Sequence, residues 1–266
     1  MFGPDGWKEY FGTELSAEHH KNLDLPEGAE AMMTADCSVW KKDGVKVHHT
    51  HMLTYIPCKL GDKDFTYENL VELMETNNHE NLNKATLTLE RGRIKDYVLE
   101  TPLQGDYWVL VTKDNLPATK GKIPALLELD ESHMTSFRYN TRLQTEGPAL
   151  SVQELGYEII SPAEILTATV THFVKTKKAW YCGSMYQVGN FGSVVANNLT
   201  MTSEEFMGWK YLFGVFDSFE DAEEIDNWSV GMTVFDNHRL APFIGFAGVK
   251  RCGWVEPEKG EDEDDY

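Results

Sequence analysis

Three pairs of similar segments occur in the same order in the two halves of this chain, and this repetition constrains the fold more than any other feature. The pairs are residues 29–42 with 163–176, residues 66–70 with 202–206, and the strands that end at Asp114 and Asp236. Because a tandem duplication keeps related segments in order, the pattern predicts two similar modules. The alternative is that β-rich segments resemble one another through alternation and turn residues alone.

Alternating apolar and polar residues predict strands throughout both halves. The predicted strands are 32–40, 45–56, 84–90, 95–100, 106–113 and 122–129, then 165–174, 179–188, 209–216, 228–235 and 242–254. Asp43-Gly44 separates the first two runs and predicts a tight hairpin. Thr66 is expected to cap a helix over residues 67–76, and Thr202 to Glu205 form a capping box that predicts another helix.

These patterns predict an α+β fold, a tandem duplication of a β-rich antiparallel module with short helices. The expected organisation is an N-terminal aromatic arm (1–25), a first repeat (26–145), a linker (146–158), a second repeat (159–254) and an acidic disordered tail (255–266).

The net charge of −19 limits the partners that the chain can have. Residues 217–226 and 256–265 contribute −6 each, and both acidic runs are expected to be solvated. Because phosphate binding requires a basic surface, nucleic acid is not an expected partner. No apolar run reaches the ~20 residues that span a bilayer, so membrane insertion is not expected.

The four cysteines are far apart in the sequence, which predicts free thiols rather than a disulfide framework. The N-terminus lacks the basic and apolar regions of a secretory signal peptide. An intracellular reducing compartment is therefore expected unless a targeting segment has been removed.

The histidines of Val47-His48-His49-Thr50-His51 form the one cluster with metal-ligand character in the sequence. On a strand, His49 and His51 would share a face, with Asp36 opposite His51 across the Asp43-Gly44 turn. Two imidazoles and a carboxylate could hold Zn²⁺ or Fe²⁺. The competing interpretation, which we adopt, is a polar strand face without metal.

Other catalytic signatures are absent from the sequence, including the phosphate-binding glycine loops and the nucleophile elbow. Cys182 lies in the middle of a predicted strand, which indicates a core position rather than a reactive thiol. His19 and His20 in the arm are expected to be solvated. The sequence therefore predicts no catalytic, cofactor-binding or metal-binding residue, no cofactor and no enzymatic activity.

Trp7, Tyr10 and Phe11 lie in the arm, before any predicted strand. Large aromatic side chains need a surface on which to pack, either on the same chain or on a neighbouring subunit. Because the arm precedes both predicted sheets, we expect these aromatic residues to dock on a neighbour.

The chain resembles the pyrenoid shell proteins of diatoms and related algae. The resemblance rests on two similar β-rich halves, a comparable mature size and the start Met1-Phe2-Gly3-Pro4, since diatom plastid precursors are cut just before a Phe. It implies a non-catalytic protein of the chloroplast pyrenoid that tiles into sheets or tubes around the carbon-fixing compartment.

The sequence thus predicts a self-assembling structural protein whose main partner is itself, with a basic protein as a further partner for the acidic tail. The alternative is a small-molecule-binding protein or metal-dependent enzyme with a site between the two halves near His49 and His51.

Overall fold

The structure is a computed structural model. It describes residues 1–76, 85–89, 100–103, 106–114, 116–117, 152–177, 182–183, 185–188, 193–196, 199–206, 209–217, 228–234 and 244–252. Side chains are described at 1–76, 100–103, 106–114, 116–117, 152–177 and 247–252.

The described residues form helices and strands in mixed order. The helices are α1 (Pro4–Phe11), α2 (Ala29–Thr34), α3 (Val47–Thr50), α4 (Tyr67–Thr76) and α5 (Pro162–Thr176). The strands are β1 (His51–Ile56), β2 (Lys59–Leu60), β3 (Lys63–Asp64), β4 (Ala85–Leu89), β5 (Tyr107–Thr112), β6 (Glu158–Ile159), β7 (Cys182–Gly183), β8 (Met185–Val188), β9 (Ser193–Ala196), β10 (Leu199–Phe206), β11 (Trp209–Asp217), β12 (Trp228–Val234), β13 (Ile244–Phe246) and β14 (Gly248–Cys252).

Two larger sheets and two small hairpins contain these strands. The four-stranded sheet has the order β1-β5-β14-β6 and is antiparallel throughout. The six-stranded sheet follows β13-β10-β11-β12-β4, with β7 also beside β11. In this second sheet β10, β11 and β12 are antiparallel, whereas β13, β7 and β4 are parallel to their neighbours. The predicted α+β class, with helices and antiparallel sheets, is confirmed.

Helix α5 is the central element of the core and replaces the strand predicted at 165–174. Nearly all of its side chains are buried, and it packs against α1, α4 and strands of both larger sheets. The prediction was wrong because this helix is buried on every side and therefore has no polar face. Without a polar face, the sequence of a helix lacks the 3.6-residue periodicity that distinguishes it from a strand. Ser161 caps the helix, Pro162 occupies its first turn, and the Glu164 side chain returns to the Ser161 N–H.

Thr167 and Thr171 of α5 satisfy their hydroxyl groups within the helix, whereas the buried hydroxyl of Thr169 has no hydrogen-bond partner among the described residues. Thr167 Oγ1 donates to the Ala163 carbonyl at 2.6 Å, and Thr171 Oγ1 donates to the Thr167 carbonyl at 2.8 Å. These bonds remove most of the cost of burying a hydroxyl group. Every second residue from Thr167 to Thr171 is a threonine, and this spacing imitates strand alternation.

The N-terminal arm belongs to the core of its own chain. Phe2 forms a parallel bridge to Thr54 at the outer edge of β1, with backbone hydrogen bonds of 2.8 Å to Leu53 and Tyr55. Trp7 is fully buried, and its indole N–H donates to the Tyr55 carbonyl at 3.0 Å. The expectation that these aromatic residues dock on a neighbour is therefore wrong. Although the arm precedes the strands in sequence, it packs against the four-stranded sheet of its own chain.

The paired segments of the predicted duplication differ in structure. Residues 29–34 and 162–176 are both helical, and the strands β5 and β12 also correspond. The middle pair does not match, because 67–76 is helix whereas 199–206 is strand, so the capping box at Thr202 does not start a helix. The surrounding strands β11 and β13 override that local signal.

Both larger sheets also combine residues from the two predicted repeats. Strand β14 pairs with β5, and β4 pairs with β12. In the described part of the predicted linker, Val152 and Tyr157 are buried. The domain boundaries themselves stay a prediction.

Candidate functional site

Three side chains with metal-binding chemistry converge where the arm meets the four-stranded sheet. His20 lies in the arm, Cys58 follows β1, and Asp106 immediately precedes β5. The ligand atoms of the three lie within 4.8 Å of one another. The side chains of His20 and Asp106 are each 4% exposed, whereas Cys58 is half-buried. The expectation that His20 is solvated is therefore wrong, whereas its neighbour His19 is exposed as expected.

Asp106 is the centre of this cluster. Its Oδ1 lies 3.0 Å from His20 Nδ1 and accepts the Cys58 backbone N–H at 2.7 Å. Its Oδ2 accepts the Lys21 backbone N–H at 2.8 Å, and its carbonyl accepts from the Asn22 side chain. One aspartate thus fixes both the arm and the turn after β1 against the start of β5.

The hydrogen bonds decide the charge of Asp106. Burial acts to raise its pKa, but the hydrogen bonds from His20 and from the backbone of Cys58 and Lys21 outweigh it and hold the pKa below its ordinary value. Burial, followed by the hydrogen bond with Asp106 and the charge of that carboxylate, raises the pKa of the Cys58 thiol to about 11. At neutral pH the site therefore contains a carboxylate and a protonated thiol.

This geometry differs from that of a nucleophilic triad. In a triad the carboxylate and the nucleophile contact opposite ring nitrogens of the histidine. Here Asp106 Oδ1 and Cys58 Sγ both face His20 Nδ1, the sulfur at 4.0 Å. The three atoms instead provide one nitrogen, one sulfur and one oxygen around a common point.

The structure separates His49 from His51, which the sequence pattern placed on one strand face. Residues 47–50 form helix α3, so His49 and His51 do not share a strand face. His49 is exposed and accepts the Lys46 backbone N–H, whereas His51 is buried at the start of β1. Asp36 forms an exposed ion pair with Lys46 rather than lying opposite His51. Gly44 has φ +75°, so the predicted turn is present, but the predicted hairpin of 32–40 with 45–56 is not: residues 29–34 and 47–50 are helical, and Asp36 and Lys46 form only an isolated bridge.

His51 joins a buried network instead. Its Nε2 lies 2.7 Å from Tyr157 Oη, and its Nδ1 lies 2.8 Å from Thr50 Oγ1. The Trp40 ring packs edge-on against the imidazole. Burial lowers the pKa of His51 to about 4, and the charges of Lys250 and Lys113 act in the same direction.

We expect stability to fall as the pH decreases from about 6.5 to 4. In this range unfolded chains bind a proton at His51 and folded chains do not, so protonation favours unfolding. A shift of about 2.5 pH units corresponds to roughly 3 kcal/mol. Chemical denaturation at pH 7 and pH 4 measures this loss of stability, and His51→Gln is the comparison. If His51→Gln loses as much stability over this interval as the wild type, the assignment to His51 is contradicted.

A second buried network joins α5 to the edge of the four-stranded sheet. The Arg251 guanidinium donates two bonds to the Glu164 carboxylate, at 2.6 and 2.7 Å, and also contacts Glu158. Tyr107 Oη donates to Glu164 at 3.1 Å. Glu164 is 1% exposed, so this ion pair is internal and structural.

Other sequence-based expectations have simpler outcomes. Cys37, Cys58 and Cys252 are free, which confirms the prediction of unpaired thiols for these three. Cys182 lies on β7, and its side chain is outside the described residues. The predicted tail, 255–266, also lies outside them, as do residues 95–99 and 122–129. No helix in the described ranges has the length and apolar character needed to cross a membrane.

Comparison with known proteins gives no relative from which to infer a function. No family model, curated protein or solved structure matches the chain.

Proposed function

We propose that this chain is a non-enzymatic structural protein that assembles with copies of itself into sheets or tubes. The observation that supports this most is strand β4 (Ala85–Leu89), which pairs only with β12 among the described residues and ends the six-stranded sheet. A strand at a sheet edge presents backbone N–H and C=O groups to a second chain.

The composition of β4 favours pairing with another copy. The strand reads ATLTL and contains no charged residue and no proline. Natural monomers protect edge strands with lysine, proline, bulges or a covering segment. None of the first three devices is present in β4.

The other described sheet edges contrast with β4. The outer edge of β1 is bridged by Phe2 of the same chain. At the far side of that sheet, β6 has two residues, and β13 at the opposite end of the six-stranded sheet has three. β4 is therefore the longest described edge strand without a further partner among the described residues.

The duplication and the compartment are parts of the same proposal. Two related modules would offer two similar surfaces per chain, so that each copy could contact its neighbours head to tail. When the rotation between neighbours does not close a ring, such contacts continue as an open array. The helical first pair and the strands of the third pair support the duplication. The resemblance to pyrenoid shell proteins supports a chloroplast location and a shell around the pyrenoid. Through its acidic tail the chain would also engage a basic protein.

The alternative site near His49 and His51 has less support. His49 is exposed, His51 is buried in contact with Tyr157, and Asp36 points to Lys46. These residues do not converge on one ligand.

A charged β4 is expected to assemble poorly. In Thr86→Lys/Thr88→Lys the two changes fall on alternate strand positions and leave Ala85, Leu87 and Leu89 unchanged. Lysines facing a second copy repel and must be desolvated, so the threshold concentration for assembly should rise about tenfold or more, which is ~1.4 kcal/mol per contact. Sedimentation and light scattering measure the threshold.

The control carries the same added charge away from the sheet edge. Thr34→Lys/Thr76→Lys changes two exposed helical threonines, and its threshold should match that of the wild type once ionic strength screens the altered net charge. Equal thresholds for the β4 variant and this control would exclude β4 as the contact.

A further inference from the structure

We propose that His20, Cys58 and Asp106 bind one transition-metal ion of the Zn²⁺ class, with solvent completing a four-coordinate shell. The proposal concerns a site that no sequence motif indicates, since the three residues come from three separate segments. It does not depend on the proposed assembly.

The spacing of the donor atoms fits such an ion. Zn²⁺ binds nitrogen and oxygen at about 2.0–2.1 Å and sulfur at about 2.3 Å, so tetrahedral ligands lie roughly 3.3–3.6 Å apart. His20 Nδ1 lies 3.0 Å from Asp106 Oδ1 and 4.0 Å from Cys58 Sγ. Displacements of well under 1 Å would bring these two distances to coordination values, and all three ligand atoms lie within 4.8 Å of one another.

The Cys58 sulfur lies beside both of the other candidate ligands. Asp106 accepts two backbone N–H groups, which hold its carboxylate in place, and the Cys58 thiol also interacts with this carboxylate. The sulfur is at the outer limit of a hydrogen bond to His20 Nδ1. Sulfur and imidazole nitrogen together select a borderline-soft cation such as Zn²⁺ over Mg²⁺ or Ca²⁺.

Charge balance also favours a divalent cation. Binding would convert the Cys58 thiol to a thiolate and release its proton to solvent. The ion would take the place of the Nδ1 proton that His20 directs at Asp106, and Nε2 would carry the ring proton instead, so this exchange leaves the proton count of the imidazole unchanged. Two negative ligands then neutralise the charge of M²⁺. Affinity should consequently rise with pH, and about one proton should be released per ion.

Such an ion would link three segments of the chain. It would bind the arm at His20, the turn at Cys58 and the start of β5 at Asp106, in addition to the existing hydrogen bonds. Because an unfolded chain does not hold these ligands together, the metal would stabilise the folded state.

Titration of metal-stripped protein with Co²⁺ alone tests the site, because cobalt replaces zinc and its thiolate complexes absorb light. The expected result is one equivalent of Co²⁺ per chain, a thiolate-to-cobalt charge-transfer band, and visible bands of tetrahedral intensity that Zn²⁺ abolishes. Cys58→Ser should lose the charge-transfer band, and His20→Gln should lower the affinity by at least about tenfold. Circular dichroism confirms that each variant is folded.

Cys252→Ser is the matched control, since Cys252 is also a half-buried free thiol. It should retain the band and the stoichiometry. Absence of stoichiometric Co²⁺ binding by the wild type would overturn the proposal. So would a band that survives Cys58→Ser or disappears in Cys252→Ser.

Discussion

Trp7→Ala is expected to lower the free energy of unfolding by about 3–5 kcal/mol, the usual cost of truncating a buried aromatic residue. Trp7 is fully buried, contacts the rings of Phe2, Phe11 and Phe65, and donates a hydrogen bond to the Tyr55 carbonyl. Its removal leaves a cavity and an unpaired carbonyl. Denaturant titration followed by circular dichroism measures the loss.

Lys8→Ala is the matched control on the same helix. Lys8 is exposed and pairs with exposed Glu14, so its removal should leave stability nearly unchanged. If Trp7→Ala and Lys8→Ala have equal effects on the dilute protein, the arm does not pack on its own chain. The prediction that this arm docks on a neighbouring copy would then stand.

Arg251→Met is expected to destabilise the chain by about 3–5 kcal/mol, because it leaves the Glu164 carboxylate buried without its cation. The Glu164 side chain is 1% exposed and receives both guanidinium bonds. Tyr107 and the Ser161 N–H still contact the carboxylate, but neither carries a charge.

The variant Arg251→Met/Glu164→Gln separates charge burial from lost packing. The amide oxygen introduced by Glu164→Gln would still accept from the Ser161 N–H, so the helix cap survives while the isolated charge is removed. We expect the double variant to be more stable than Arg251→Met. Strict additivity of the two single changes in denaturant titrations would show that the two side chains are not coupled.

Local signals predicted one helix and several strands close to their observed bounds. The capped helix at 67–76 and the strands at 107–112, 209–217 and 228–234 were recognised within a residue or two of their bounds. Helix α5 was missed because it is buried on all sides. Strand β10 was missed because its neighbours override a capping box that would favour a helix in isolation.

The metal-ligand cluster could not be predicted in the same way. Its residues are separated by 38 and 48 positions, and no spacing rule connects His20, Cys58 and Asp106. Only the folding of the arm onto the sheet brings them together. Conversely, His49 and His51 were predicted to share a strand face because they are two positions apart, whereas His49 lies in helix α3 and His51 begins strand β1.

The assembly state of the intact wild-type protein tests the central claim most directly. Chains with a net charge of −19 repel one another until salt screens them, so raising the ionic strength should promote association. Negative-stain microscopy and sedimentation across protein and salt concentrations should show large ordered sheets or tubes. A monomer or dimer throughout, at high protein concentration and moderate salt, would contradict the claim.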